Sequence, residues 1–174
     1  ENMWINAGEF PGVDDNKNYR ISIGELLSHG LNDSNSNGVI GLDDLEGSAF
    51  ENNIDDDNNG YIDDFVGWNY SSIYTPNQPL DQSGHGTHIA GTIAAVTNNA
   101  FDVSGVSWHT KIMAIKPRQG GQEYESVLCT EALLYAVNNG ADVVNMSWGF
   151  YGSVTVSELF EEAAAYATQL GVVL

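Results

Sequence analysis

From residue 111 onward, short apolar runs alternate with segments of helical period, and this alternation restricts the fold more than any other feature of the chain. KIMAIKP (111–117) reads as a short apolar strand. A helix is expected from about Ser126 to Asn139, with Leu128, Ala132 and Tyr135 on one face and Gly140 as its C-terminal cap. DVVNMSWG (142–149) reads as a buried strand. Thr155 and Glu158 form the capping-box pattern of another helix, whose Leu159, Ala163, Tyr166 and Leu170 fall on one stripe before Gly171 ends it. VVL (172–174) opens a further strand. Strands and helices alternating at this spacing require right-handed crossovers, so the expected fold is α/β, a parallel sheet flanked by helices.

Residues 1–80 read differently. They are rich in Asn, Asp, Gly and Ser, a loop-rich region ahead of the βα core at 81–174. With 174 residues, 42% of them hydrophobic, the chain can bury one substantial core, and a single domain is expected. Twenty-four acids against five bases give a net charge of −19, which argues against nucleic acid and anionic membrane surfaces as partners. No apolar run is long enough to span a membrane, and no stretch resembles a signal peptide. Cys129 is the single cysteine and has no partner for an internal disulfide. Such a chain is cytosolic, or a bacterial secreted protein stabilised by something else, for which metal ions are the obvious candidates.

DQSGHGTHIAGTIAA (81–95) places His85 and His88 in the least bulky segment of the chain. Ser83 and Gly84 precede a helix that would begin at His85. Its glycines each cost roughly 1 kcal/mol in a helix interior, which implies that something approaches the helix closely. The histidines alone allow three readings. They are packed and satisfied by backbone groups, or they ligate a metal at i and i+3, or one is a general base exposed at a helix start. The metal reading lacks the nearby glutamate of zinc hydrolases.

GHGTHIAGTIAA resembles the histidine motif of the subtilisin-like serine peptidases, and ADVVNMSWG resembles the substrate-binding strand that follows it in that family. NMWINAGEFPG (2–12), DDDNNGYIDDFVGWNY (55–70) and GVVL (171–174) are similar as well, which leaves only roughly residues 14–52 outside the resemblance. It implies that His85 is the general base of a Ser/His/Asp triad and His88 a structural residue. The family's catalytic aspartate lies before the NMW segment. Its nucleophilic serine, in a GTSMA-like motif, and its oxyanion asparagine follow the GVVL segment. By that order this chain is the middle of a catalytic domain, and the 174 residues alone are expected to be inactive. Ser83 and Ser147 are read as structural rather than nucleophilic.

The resemblance also supplies a substrate side. It sets Ser147, Trp148 and Gly149 along one wall of the primary specificity pocket and Gly121, Gln122 and Glu123 on the opposite edge, holding an extended protein or peptide substrate by main-chain hydrogen bonds. Glu123 and Glu125 would favour basic residues upstream of the cut. Without the resemblance, 119–125 reads as an ordinary glycine-rich turn. The sheet edge at VVL would invite pairing with another chain.

Two acidic loops raise a separate expectation, calcium. DSNSNGVIGLDD (33–44) sets Asp33, Asn35 and Asn37 at loop positions one, three and five, Gly38 at six, the Val39 carbonyl at seven, Ile40 at eight and Asp44 at twelve. This is the pattern of EF-hand loops, in which alternating oxygens converge on one ion and glycine permits the sharp turn. DDDNNGYIDD (55–64) repeats it with Asp55, Asp57, Asn59, Gly60, the Tyr61 carbonyl and Asp63, but has Val66 at position twelve. The second loop matches one common in the subtilisin-like family. The expected function is a secreted, calcium-stabilised serine endopeptidase, with a non-catalytic calcium-binding module as the alternative.

Overall fold

The computed structural model describes residues 2–18, 20–71, 76–117, 126–148 and 157–174. The chain divides into two compact units, one of residues 1–67 and 85–114, the other of 68–84 and 115–174.

The loop-rich N-terminal stretch builds a core of its own within the first unit. Phe10, Val13, Ile21, Leu26, Leu31, Leu45 and Phe65 are all buried, and the Phe10 ring lies 5.4 Å from Phe50 and 5.2 Å from Phe65. Apolar residues spaced irregularly along loops can converge in this way, whereas a periodic pattern is needed only where a helix or strand must present a face. A short helix, α1 (Ile23–Ser28), docks Leu26 into this core. Its start is a full capping box, the Ser22 hydroxyl accepting from Glu25 N while the Glu25 carboxylate accepts from Ser22 N. Segment 2–6 is tied to the 112 region by Trp4 N donating to Ile112 O at 2.8 Å, and Met3 and Ile112 form a parallel bridge.

Helix α2 (His85–Ala94) follows the histidine segment, as the sequence predicts. The small residues lead one to expect that the helix itself presses tightly against a sheet. The close contact comes instead from Gly105, where an added Cβ would lie 2.7 Å from Ala94 C, while a Cβ on Gly91 would meet nothing within 4 Å. Gly105 N, Val106 N and Ser107 N then donate to the carbonyls of Ala95, Thr92 and Ile93, satisfying the open C-terminal end of the helix.

Strand β1 (Gly67–Asn69) pairs with β2 (Ala114–Lys116). Ala114 N donates to Val66 O and Tyr70 N to Lys116 O, so the register rises together in both strands and the pair is parallel.

In the second unit, α3 (Ser126–Asn138) packs on α4 (Glu158–Gln169). Gly140 ends α3 in the left-handed conformation, with Gly140 N donating to Val137 O and Ala141 N to Ala136 O, the double closure of a Schellman motif. Two expectations are corrected here. The inward stripe of α4 is Phe160, Ala163 and Ala167, while Leu159, Tyr166 and Leu170 are exposed. Alanines let α4 approach Leu133 and Val137 of α3 closely, and the larger residues turn outward. Segment 142–148 is not a buried strand either. It makes one parallel bridge, Val143 with Val173; Val143 is exposed, and Val144, Met146 and Trp148 are half-buried. The α4 N-cap is Ser157, whose hydroxyl accepts from Phe160 N; Thr155 lies outside the described residues.

Candidate functional site

His85 is the first residue of α2, and both His85 and His88 are exposed. His88 contributes its carbonyl to the Thr92 hydroxyl at 3.0 Å, an ordinary helical contact. In the second unit, the loop that leads to the histidine segment is held by two charged side chains. Asp81 Oδ1 accepts from Ser83 N, from the Ser83 hydroxyl and from Gly84 N, which fixes the turn. Lys116, at the end of β2, donates from Nζ to Leu80 O at 2.7 Å and to Gln82 Oε1. Burial lowers the Lys116 pKa, an effect opposed by Asp81.

On the substrate side, Ser147 is exposed and its Oγ accepts from Asn145 Nδ2 at 2.9 Å. The Trp148 ring meets Phe160 edge-on at 5.8 Å and borders a small cavity of about 60 Å³ shared with Cys129, Leu133 and Met146. Gly121, Gln122, Glu123, Glu125 and Gly149 lie outside the described residues.

The two acidic loops are built by one device. Side-chain oxygens at positions one, three and five accept from backbone N–H groups further along the loop, holding the chain in a ring around them. In the first loop Asp33 accepts from Asn37 N and Gly38 N, Asn35 from Asn37 N, and Asn37 from Val39 N. Asp44 closes the ring by accepting from Asn35 N and Gly41 N, and these N–H donors, Gly41 first, hold its carboxyl below the usual range. The amide nitrogens of Asn35 and Asn37 both point at Asp43, an acid to which the sequence pattern assigns no role.

In the second loop Asp55 accepts from Asn59 N and Gly60 N, Asp57 from Asn59 N, and Asn59 from Tyr61 N. Asp63 departs from the pattern. Its two oxygens accept from Asn52 N and Asn53 N, so it caps the preceding turn, and burial raises its pKa. Its place beside the loop is taken by residues that the spacing does not reveal. Asp64, fully buried, accepts from Asn59 Nδ2 and from Asn6 Nδ2, and Asn6 Nδ2 also reaches Asp57. Glu9 is 2% exposed, and one of its carboxylate oxygens lies within 4.8 Å of oxygens from Asp55 and Asp57. Burial, then the charges of Asp64 and Asp57, push the Glu9 pKa up to about 7. Glu9 and Asn6 lie about fifty residues from the loop in sequence, with no periodic signal linking them to it.

Among the described residues no helix is long and apolar enough to cross a membrane. The model of the Subtilase family matches residues 21–174. The chain is 32% identical to "Subtilisin-like protease 1" of Plasmodium berghei (strain Anka) over 80% of its own length and 22% of that protein. It is 35% identical to the "Thermophilic serine proteinase" of Bacillus sp. (strain AK1) over 60% of its own length and 25% of that protein. With "Subtilisin Savinase" of Lederbergia lenta the identity is 37% over 58% of the chain and 37% of that protein. The chain thus spans well under half the length of these relatives, and with a family match over most of its own residues it belongs to the subtilase family.

Proposed function

We propose that this chain is part of a serine endopeptidase in which His85 is the general base of a Ser/His/Asp triad. The observation that carries the reading is the position of His85, exposed at the first turn of α2, inside the segment that resembles the histidine motif of the family to which the chain belongs. An imidazole there can take a proton from a serine hydroxyl as it attacks a peptide carbonyl and return it to the departing amine. Ser147, Trp148 and Gly149 serve as one wall of an extended-peptide cleft, in keeping with the exposure of Ser147, and Gly121, Gln122 and Glu123 form the other edge. The substrates are proteins or peptides, and the setting is extracellular.

The two acidic loops hold calcium. Oxygen-only donors on flexible loops suit that ion better than magnesium, which demands a strict octahedron. Calcium supplies charge neutralisation and cross-linking of the loops rather than chemistry at the scissile bond.

Hydrolysis of a chromogenic peptide by the intact protein, abolished by a serine-directed fluorophosphonate, tests this reading. The 174 residues alone are expected to leave the peptide uncut. An intact protein that neither cleaves peptides nor takes up the label, yet binds calcium, favours the non-catalytic module.

A further inference from the structure

We propose that Lys116 is a positioning residue for His85: its ammonium group holds the turn from which His85 emerges, and so sets where the imidazole stands. This rests on the reading of His85 as general base and adds to it the residue through which that base is held in place.

The side chains of residues 80–88 are exposed, so packing does not fix the approach to α2 and hydrogen bonds must. Asp81 Oδ1 gathers Ser83 N at 2.9 Å, the Ser83 hydroxyl at 3.1 Å and Gly84 N at 3.0 Å, which closes the turn on itself. Gly84 takes a φ of +81°, and a Cβ there would meet nothing within 4 Å, so glycine serves the left-handed backbone and not a close contact. Lys116 Nζ joins this turn to the strand, donating to Leu80 O at 2.7 Å and to Gln82 Oε1, on either side of Asp81.

The other end of the clamp is held by backbone. Lys116 O accepts from Tyr70 N at 2.9 Å, and the Tyr70 hydroxyl donates to Glu131 O of α3 at 3.2 Å. Lys116 therefore reaches from a strand end to Gln82, after which only Ser83 and Gly84 precede His85. The coupling to His85 runs along the chain.

The choice of residue points the same way. Lys116 is half-buried, and burial lowers its pKa, opposed by the charge of Asp81. The strand pairing uses only its backbone, so a neutral side chain would end β2 equally well. What an ammonium adds is three donors on a long stem, able to grip a carbonyl and an amide oxygen at once. The demand for that grip is strict, because a general base must come within about 2.6–3.2 Å of the proton it takes, and a misplacement of about 1 Å can cost about a hundredfold.

The test is steady-state hydrolysis of a chromogenic peptide by the intact protein carrying Lys116→Met or Lys116→Arg, each alone and combined with His85→Ala. Lys116→Met, which keeps the stem and loses the donors, is expected to lower kcat about tenfold to a hundredfold with KM changed less than about threefold. Lys116→Arg, which keeps donors on a long stem, should recover kcat to within about fivefold of the parent. With His85→Ala already present, Lys116→Met should cost less than about twofold, since the imidazole it positions is gone. A lysine that only stabilises the fold would lower the melting temperature and leave kcat of the folded enzyme unmoved. Gln82→Ala, which removes one of the two acceptors, should lower kcat about threefold to tenfold and carries the test if Lys116→Met does not fold. A kcat within about twofold of the parent, or an equal loss with and without His85, would overturn the role of Lys116 and leave the peptidase reading standing. A parent that cleaves no peptide would overturn both.

Discussion

Asn6 Nδ2 and Asp64 Oδ1 form a buried hydrogen bond of 2.6 Å across 58 positions of the chain. Asp64 is fully buried and depends on such donors, Asn59 being another. Asn6→Ala removes one and leaves the carboxylate short of a partner. The expected loss of stability is about 1.5–3 kcal/mol, the range for hydrogen bonds to charged groups. A urea denaturation midpoint unchanged by Asn6→Ala would show that this contact carries no load.

Gly105 seats the loop that follows α2 against the helix end. Gly105→Ala would drive a methyl into the backbone of Ala94 and Ala95. Because backbone cannot yield as a flexible side chain does, destabilisation of about 1–3 kcal/mol is expected. Gly91→Ala, where a Cβ meets open space, should be neutral or slightly stabilising through helix propensity. Thermal melts of the two variants side by side check the assignment, and equal effects would refute it.

Calcium dependence is expected in the melting temperature. An ion that binds only the folded state stabilises by about 2.7 kcal/mol per site at a hundredfold excess over Kd. EDTA should therefore lower the melting temperature, with calcium restoring it far better than magnesium. Asp57→Ala and Asp33→Ala should each weaken that response, and His88→Ala should leave it intact. A melting curve indifferent to EDTA and calcium would reduce both loops to polar surface.

In chelated buffer the buried acids set a pH trend. Glu9 has an ordinary pKa of 4.5 and a folded value of about 7, so between these the folded state holds a proton that the unfolded state has lost. Its contribution to stability then falls as pH rises from about 4.5 to about 7. Asp63, also raised by burial, acts in the same direction. Urea melts in EDTA at about pH 5 and about pH 7.5 should show the decline, and Glu9→Gln should flatten it. A decline of equal size in that variant would place its origin elsewhere.

The sequence was readable wherever local chemistry dictates local structure. His85 starts α2, Gly140 and Gly171 close α3 and α4, and both acidic loops wind around their own side chains, because each of these depends on residues within one turn of chain. What depends on contacts between distant segments was not. Leu159, Ala163, Tyr166 and Leu170 share a helical stripe, yet of these α4 buries only Ala163, together with Ala167, because α3 selects the face that comes closest. Glu9 reads as an acid in a turn, and nothing in its neighbours announces burial beside Asp55 and Asp57. Helix α1 was not read from the sequence, because the capping box of Ser22 and Glu25 is followed by too short a segment to show the apolar period of a longer helix.

The most direct measurement is kcat/KM of the intact protein on a peptide substrate with and without His85→Ala. Members of a catalytic triad act as a unit, so a loss of about four orders of magnitude or more is expected, with the melting temperature and the calcium response unchanged. A loss of less than about tenfold would contradict the assignment of His85 as general base.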